Sequence, residues 1–317
     1  MTLRFVIIGG GPAGNTAATH AARLGAEVTM IERDIVGGAA HLLDCIPSKT
    51  MIATGGAISF ANRMSEMGLE RQDAQAVDSD ALRTRIEAIT ARMRDNTEQL
   101  LASQGVRMLH GTARLTAAHQ VHVDLPDGSS TQLEADAILI STGTRPRIPD
   151  WCTPDGERIL TTRDCYPPTV FPKSITVVGS GVTGVEFVHM FASFGAEVTL
   201  VVSRQQVLPS KDPEVAAVLE EDFLRRGVRL LKGARAEAIE RQGDEVLVTC
   251  DDGRHVRSSH AVLAIGSVAN TDDLGLAEVG VVLDGGYVTI NHHCQSSVAH
   301  IYAAGDVSGK LPLSSVA

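Results

Sequence analysis

Two segments of the chain carry the same order of apolar runs and glycines. Residues 5–8 (FVII) and 175–178 (ITVV) are largely apolar, and a glycine-rich turn follows each of them. A second apolar run then opens in both places with Gly-Ala-Glu-Val-Thr, at residues 25–29 and 195–199. In each segment this order predicts a buried parallel strand, a helix and a second parallel strand. We therefore predict an α/β fold with two Rossmann-like three-layer domains.

The apolar positions between these segments predict further elements. One amphipathic helix is predicted over residues 79–104, where apolar residues recur at helical spacing: Leu82, Ile86, Ile89, Met93, Leu100 and Leu101. We interpret it as a packing helix without chemistry. Residues 105–109 and the alternating 121–125 predict strands. Prolines near residues 146–154 predict a crossing between domains.

The first turn has the spacing G-x-G-x-x-G. Gly9 permits the tight turn, Gly11 lets the backbone approach a pyrophosphate, and Gly14 lets the helix pack on the strand. Pro12 and Ala13 open the helix, whose N–H groups and positive dipole end would face the pyrophosphate. Glu32 ends the second strand about 20 residues on, where a carboxylate accepts hydrogen bonds from a ribose diol. We predict a dinucleotide site here; the alternative is a purely structural glycine turn.

The second turn places Gly179, Gly181 and Gly184 in the same three roles. Its second strand ends in Val-Val-Ser-Arg, so the ribose carboxylate is missing and Arg204 stands nearby. A guanidinium can pair with a 2′-phosphate, which favours NADP over NAD. The alternative is that Arg204 is a solvated surface residue.

Composition excludes several other classes of protein. The formal net charge of −10 over 317 residues disfavours a nucleic-acid partner, which needs clustered Lys and Arg. No apolar run reaches the roughly 18 residues of a membrane span, and no secretory signal precedes the first strand. The five cysteines are scattered, which disfavours a disulfide framework. We expect a cytoplasmic protein.

Residues 37–49 (GGAAHLLDCIPSK) resemble the redox-active segment of the flavoprotein disulfide reductases, whose pattern is GGTCxxxxCIPSK. Three later segments match landmarks of that family in order: residues 141–143, 264–271 and 301–306. The resemblance implies FAD on the first glycine unit and NADPH or NADH on the second. Beyond the glycine motifs, it implies these cofactor-binding residues: Gly37, Gly38, Lys49, Thr142, Gly143, Gly266, Gly305 and Asp306.

The resemblance also implies how the chain divides. Residues 1–149 are expected to form the first part of the FAD-binding domain, 150–270 the NAD(P)H-binding domain, and 271–317 the second part of the FAD-binding domain. Family members continue into a dimerisation domain of about 100 residues or more. That domain supplies an acid–base His–Glu pair to the neighbouring subunit. Because the chain stops about one turn into the expected helix, we expect a fragment or a protein without that domain. A homodimer is expected for the family, but its interface domain is missing here.

One departure from the family pattern changes the expected chemistry. Ala40 stands where the family has the first cysteine of its redox pair, and a methyl group cannot form a disulfide with Cys45. Reduction of disulfide substrates by a dithiol relay is therefore excluded. Cys45 matches the cysteine that lies against the flavin, either as a thiolate or as a small buried apolar residue.

The resemblance further implies a charged pair that assists hydride transfer. Lys49 matches the lysine of CIPSK, and Glu186 matches a glutamate on the first helix of the NAD(P)H domain. We expect these two residues to form a buried ion pair. Removing one partner of such a pair costs about 3–5 kcal/mol, and an unneeded buried charge would be costly to keep. The presence of both residues therefore indicates that hydride transfer from NAD(P)H to FAD is retained. The alternative is that Lys49 is exposed and that Glu186 caps or solvates its helix.

A branch of the family with GGAA in place of GGTC acts as NAD(P)H:quinone reductase, and this sequence is similar to it. We expect an FAD-dependent oxidoreductase that takes hydride from NAD(P)H and passes electrons to a quinone, with catalytic residues Lys49, Glu186 and Cys45. The alternative is a catalytically impaired nucleotide-binding remnant. A third hypothesis, a dihydrolipoyl dehydrogenase-like disulfide reductase, is disfavoured by Ala40.

Overall fold

The computed structural model describes residues 2–70, 77–313 and 315–316. The chain divides into two compact units. The first comprises Met1–Ile46, Ala88–Arg145 and Val268–Ala317, and the second comprises Pro47–Glu87 and Pro146–Ser267. The predicted boundaries 1–149, 150–270 and 271–317 concern nucleotide binding and stay a prediction.

The described chain contains five α-helices and twenty strands. The α-helices are α1 (Pro12–Arg23), α2 (Ile46–Arg63), α3 (Ser79–Ser103), α4 (Val182–Ser193) and α5 (Pro213–Arg225). The strands are β1 (Arg4–Ile8), β2 (Glu27–Glu32), β3 (Arg107–His110), β4 (Thr112–Ala117), β5 (Gln120–Asp124), β6 (Ser130–Glu134), β7 (Ala137–Ile140), β8 (Thr144–Pro146), β9 (Ile159–Thr161), β10 (Ser174–Val178), β11 (Glu197–Val202), β12 (Arg229–Lys232), β13 (Ala236–Gln242), β14 (Glu245–Cys250), β15 (His255–Ser258), β16 (His260–Leu263), β17 (Ser267–Ala269), β18 (Leu283–Asp284), β19 (Tyr287–Val288) and β20 (Ile301–Ala303).

The first unit is built on a five-stranded parallel sheet in the order β20-β7-β1-β2-β3. The apolar run of β1 lies in its middle, where Ile8 pairs with Ile31 on one side and Ile140 on the other. Buried parallel strands are apolar on both faces, which is why this run lacks alternation. A three-stranded antiparallel sheet, β4-β5-β6, belongs to the same unit, and Val121 and Val123 of β5 are fully buried.

The second unit repeats the design with a parallel sheet in the order β12-β11-β10-β16-β9. Helix α4 follows β10 and presents Phe187, Val188 and Phe191 to the core. A three-stranded antiparallel sheet, β13-β14-β15, completes the unit. The predicted α/β class, with two parallel sheets and the matching β-turn-helix-β order, is confirmed.

The long helix predicted over residues 79–104 is confirmed as α3, which ends one residue earlier. Its predicted apolar stripe is only partly buried. Leu82 and Ile86 belong to the core of the second unit and Leu101 to that of the first, whereas Leu100 is 52% exposed. The two ends of α3 therefore pack in two different cores, and its apolar residues do not act as one continuous buried stripe.

The sequence predicts that a further helix begins near the end of this chain. Asp306–Ser308 form one 3-10 turn. Of the residues expected to begin that helix, Ser314 and Ala317 lie outside the described part of the chain.

Candidate functional site

The first glycine turn lies at the carboxyl end of β1, where doubly wound sheets form ligand crevices. Gly9 has φ +105°, and a Cβ there would lie 2.4 Å from the carbonyl oxygen of Ser141. A Cβ on Gly14 would lie 2.2 Å from the carbonyl oxygen of Gly9. No side chain fits at either position, so both glycines are required by the backbone itself.

Gly11 and Gly38 form a cradle of bare backbone beside this turn. Around Gly11, the nearest atoms to an added Cβ are 3.9 Å away, so its surface is open. Gly38 has φ +79°, and a Cβ there would lie 2.5 Å from the Cα of Gly11. Helix α1 begins at Pro12 with no side-chain cap at Gly11, and Ala13 is buried behind it. The open backbone and the uncapped helix start together fit a bound pyrophosphate.

Glu32 is held by two backbone N–H groups. Gly10 N donates to Glu32 Oε2 at 2.6 Å, and Asp34 N donates to Oε1 at 2.7 Å. Gly37 N donates to the carbonyl of Gly10 at 2.9 Å, which ties the following loop to the same turn. Each carboxylate oxygen keeps a second lone pair, so the predicted ribose contact remains chemically possible.

The segment that resembles the redox motif adopts one turn of π-helix, Ala40–Cys45, and runs directly into α2. Single π-turns occur frequently at functional sites. Cys45 is half-buried, and none of the five cysteines forms a disulfide. Burial raises the pKa of the Cys152 thiol to about 11 and that of Cys165 well above its usual value. A raised pKa disfavours the nucleophilic thiolate form at both positions.

Two loops of the first unit are clamped together next to Asp306. Thr142 Oγ1 donates to the carbonyl of Asn270 at 2.7 Å, and Asn270 Nδ2 donates back to the carbonyl of Thr142 at 2.9 Å. The N–H of Asn270 also donates to Gly143 at 3.0 Å. Asn270 lies in the segment 264–271, but its part in this clamp could not be predicted from the sequence because Thr142 lies 128 positions away.

Asp306 follows Gly305, whose φ of +80° starts the final turn. Thr144 Oγ1 donates to Asp306 Oδ2 at 3.3 Å, and burial raises the pKa of the Asp306 carboxyl above its usual value. A half-buried carboxyl of this kind is suited to accept a hydrogen bond from a ligand hydroxyl. Thr144 gave no sequence signal, since a threonine at a strand start is ordinary.

The second glycine turn repeats the first geometry at the end of β10. Gly179 has φ +111°, and a Cβ there would lie 2.3 Å from the carbonyl oxygen of Ala264. A Cβ on Gly184 would lie 1.9 Å from the carbonyl oxygen of Gly179, whereas Gly181 has open space around it. Helix α4 begins after Gly181 without a side-chain cap. The turn therefore offers the second unit the same kind of bare backbone at a helix start.

Arg204 and Gly266 lie at loops that follow strands of this second sheet. The side chain of Arg204 is exposed and has no hydrogen bond or ion pair among the described residues. Its carbonyl accepts the N–H of Gly233 at 3.0 Å. Gly266 has φ +94°, and its carbonyl accepts the N–H of Arg147.

Lys49 and Glu186 meet in the second unit. Lys49 Nζ donates to Glu186 Oε1 at 2.7 Å, which joins the first turn of α2 to α4. The helices approach closely because α2 has Gly55 where a Cβ would lie 2.9 Å from the Cβ of Ser193. The expectation of a buried pair is wrong: the two side chains are 58% and 38% exposed. Both lie near helix starts, where few neighbours cover them, so the pair itself gives little stability.

Two further kinds of site are absent from the described parts of the chain. No group of three or more His, Cys, Asp or Glu side chains there is arranged to hold a metal ion. No helix in those parts is long and apolar enough to cross a membrane.

Comparison with known proteins places this geometry among flavoproteins. Residues 3–317 match the family described as pyridine nucleotide-disulphide oxidoreductase. A protein named NAD(P)H dehydrogenase (quinone), from Mycobacterium tuberculosis strain H37Rv, is 46% identical over all of this chain, which covers 66% of that protein's length. The dihydrolipoyl dehydrogenase of Zymomonas mobilis is 33% identical over 96% of the chain and 66% of its own length.

Solved structures agree with the fold. The crystal structure of LpdA from Mycobacterium tuberculosis superposes with a TM-score of 0.93 at 42% identity, covering 100% of this chain and 70% of that one. The HOCl-induced flavoprotein disulfide reductase RclA from Escherichia coli superposes with a TM-score of 0.83 at 23% identity, covering 99% and 68%. The second likeness shows the fold alone.

Proposed function

Because the chain belongs to the pyridine nucleotide-disulphide oxidoreductase family, whose members use FAD and NAD(P)H, we propose that it is an FAD-dependent oxidoreductase. It takes hydride from NAD(P)H and passes electrons to a quinone-type acceptor without a dithiol relay. The chain spans 66% of the length of the curated relatives that it matches.

The first unit supplies the FAD site. The bare backbone at Gly9, Gly11, Gly14, Gly37 and Gly38 holds the pyrophosphate against the start of α1, together with Pro12 and Ala13. Glu32, fixed by two backbone N–H groups, accepts the ribose hydroxyls. Asp306, Gly305 and the clamped loop at Thr142 and Gly143 would hold the ribityl end of the cofactor. The steric necessity of the glycines supports this assignment.

The second unit supplies the NAD(P)H site. Gly179, Gly181 and Gly184 bring bare backbone to the start of α4, and Gly266 opens the neighbouring loop. The unpartnered guanidinium of Arg204 is available to pair with a 2′-phosphate, which favours NADPH. No carboxylate stands at the end of β11 to accept the 2′-hydroxyl of NADH, which supports the same preference.

When bound, FAD accepts hydride from the nicotinamide, which is chemistry of the cofactors rather than of the protein. The protein's own contribution is to orient the reacting groups and to set the charge around them. Glu186 holds the ammonium of Lys49 in one position by the 2.7 Å bond. A fixed positive charge stabilises negative charge that develops nearby during reduction.

One observation supports an acceptor other than a disulfide and carries the proposal: Ala40 opens the π-turn that ends at Cys45. Reduction of a disulfide substrate needs two cysteines, one to attack and one to resolve. A quinone accepts hydride or single electrons without thiol exchange. The name of the 46% identical relative, NAD(P)H dehydrogenase (quinone), supports the same acceptor.

Two wider expectations accompany the activity. The absence of any disulfide among the five cysteines supports the predicted cytoplasmic location, since disulfides are rare in reducing compartments. A homodimer remains the expectation from the family resemblance.

Steady-state assays with two acceptors test the proposal. The purified chain, loaded with FAD, is mixed with NADPH and either menadione or lipoamide. We expect menadione-dependent oxidation of NADPH and none with lipoamide. Turnover of lipoamide would overturn the quinone assignment in favour of a disulfide reductase. FAD binding without turnover of either acceptor would favour the nucleotide-binding remnant.

A further inference from the structure

The second unit contains a cavity of about 340 Å³ that lies away from its glycine turn. Thr199 of β11 and Arg229 of β12 form its floor, and β15 forms its wall through His255, Val256 and Arg257. Thr199 pairs in register with Thr176 of β10, which precedes Gly179 by three residues. Strands rise about 3.3 Å per residue, so the cavity floor is roughly 10 Å from the glycine turn.

Arg229 presents a fixed guanidinium to this cavity. Its Nε donates to Thr199 Oγ1 at 3.2 Å, and Thr199 is only 4% exposed, so the bond is anchored in the sheet. The Nη groups of Arg229 have no hydrogen bond or ion pair within the described residues. A guanidinium held at Nε keeps its outer N–H groups in the fork that binds phosphate or carboxylate in bidentate fashion.

The opposite wall adds further donors and no acid. His255 and Arg257 are two residues apart on β15, so their side chains leave the same face of the strand. Arg257 also donates to Gln242 at 2.8 Å and lies 4.0 Å from Glu245, which offsets part of its charge. No carboxylate lines the cavity, although the chain carries a net charge of −10. The lining is therefore basic, whereas the protein as a whole is acidic.

We propose that this cavity, which we call the β12–β15 cavity, binds a small organic phosphate separately from the two dinucleotide sites. The volume falls in the range of small-molecule sites, roughly 300–1,000 Å³. Leu231, on the same face of β12 as Arg229, gives the ligand an apolar contact, while Arg229 holds its dianionic group with the help of the donors of β15. The proposal is independent of the flavin chemistry, since none of these residues belongs to the glycine turns.

Calorimetric titration with phenyl phosphate tests the site. The FAD-loaded protein is first saturated with NADP⁺, so that the second nucleotide site is filled. We expect saturable binding that Arg229→Gln weakens roughly tenfold or more, because hydrogen bonds to charged groups contribute about 1.5–3 kcal/mol. The matched control is Arg235→Gln, which removes an exposed arginine of the same unit outside the cavity and should leave the affinity unchanged.

Two further arms keep the outcome decisive. Inorganic phosphate in place of phenyl phosphate shows whether the apolar walls contribute, and we expect it to bind more weakly. His255→Gln, at an exposed position, is the second variant and should also weaken binding if Arg229→Gln does not fold. Absence of saturable binding to the unmodified protein would overturn the proposal, and so would Arg229→Gln and His255→Gln variants that both bind phenyl phosphate as tightly as the unmodified protein.

Discussion

Lys49 Nζ donates a hydrogen bond to Glu186 Oε1 across 2.7 Å, although the two residues lie 137 positions apart in the chain. The bond joins the start of α2 to α4, and both side chains remain substantially exposed. Exposed ion pairs contribute about 0–1 kcal/mol to stability. We therefore propose that the pair serves the reaction and contributes little to folding stability.

Removing either partner should slow reduction of the flavin while leaving the fold intact. For Glu186→Gln and Lys49→Gln we expect less than about 1 kcal/mol change in unfolding free energy. The rate of flavin reduction by NADPH should fall roughly tenfold, as loss of a charge-assisted hydrogen bond implies. Urea unfolding and transient absorbance measure the two quantities. Lys211→Gln, an exposed lysine of the same unit, is the control; equal rates in all three variants would dissociate the pair from the chemistry.

Substitution by alanine should have different effects at two glycines of the second turn. Gly184→Ala places a Cβ 1.9 Å from the carbonyl oxygen of Gly179, so we expect a loss of about 3 kcal/mol or outright misfolding. Gly181→Ala meets no atom within 4 Å and should cost no more than about 1 kcal/mol. In the proposed NAD(P)H site its methyl group would lie where the pyrophosphate approaches, so we expect NADPH binding to weaken strongly.

Fluorescence of the single tryptophan measures both effects on stability, because Trp151 packs against the core of the second unit. NADPH affinity is measured by titration of the folded variants. A stable Gly181→Ala protein that binds NADPH as tightly as the unmodified protein would contradict the assignment of this turn.

His260 should make the second unit sensitive to mild acid. The residue is fully buried, and burial together with the nearby Arg158 lowers its pKa to about 4 from the usual 6.5. Between pH 6.5 and about 4 the unfolded chain binds a proton that the folded chain does not, so stability falls as pH falls. The full effect is at most about 3 kcal/mol. In His260→Gln the slope of stability against pH, followed by Trp151 fluorescence, should flatten over this window; an unchanged slope would exclude His260 as its cause.

Arg204 should set the choice between the two nicotinamide cofactors. Loss of charge-assisted hydrogen bonds to a 2′-phosphate implies that Arg204→Gln lowers kcat/KM for NADPH about ten- to a hundredfold. The value for NADH should stay the same, because NADH has no phosphate at that position. Equal changes for both cofactors, or none for either, would favour the alternative in which Arg204 is a solvated surface residue.

Local rules predicted most of the fold and of the two glycine turns. Gly9 and Gly179 have positive φ and approach a neighbouring carbonyl closely, and such demands leave glycines at fixed spacing in the sequence. Contacts between residues far apart in the chain leave no such pattern in the sequence. The clamp between Thr142 and Asn270 and the packing of Pro47–Glu87 with the second unit both depend on residues far apart in the chain.

The exposure of the Lys49–Glu186 pair shows a second limit. A motif specifies which residue types meet, and here the two charges do meet. Burial depends on the side chains around each helix start, which the motif does not specify. The 340 Å³ cavity between β12 and β15 escaped prediction for a similar reason, since its residues come from three strands and match no motif.

Anaerobic stopped-flow mixing of the FAD-loaded protein with NADPH tests the central claim most directly. We predict rapid loss of the visible flavin absorbance on mixing and its return when menadione is added. A protein that holds FAD while its absorbance is unchanged by excess NADPH and NADH would contradict the account.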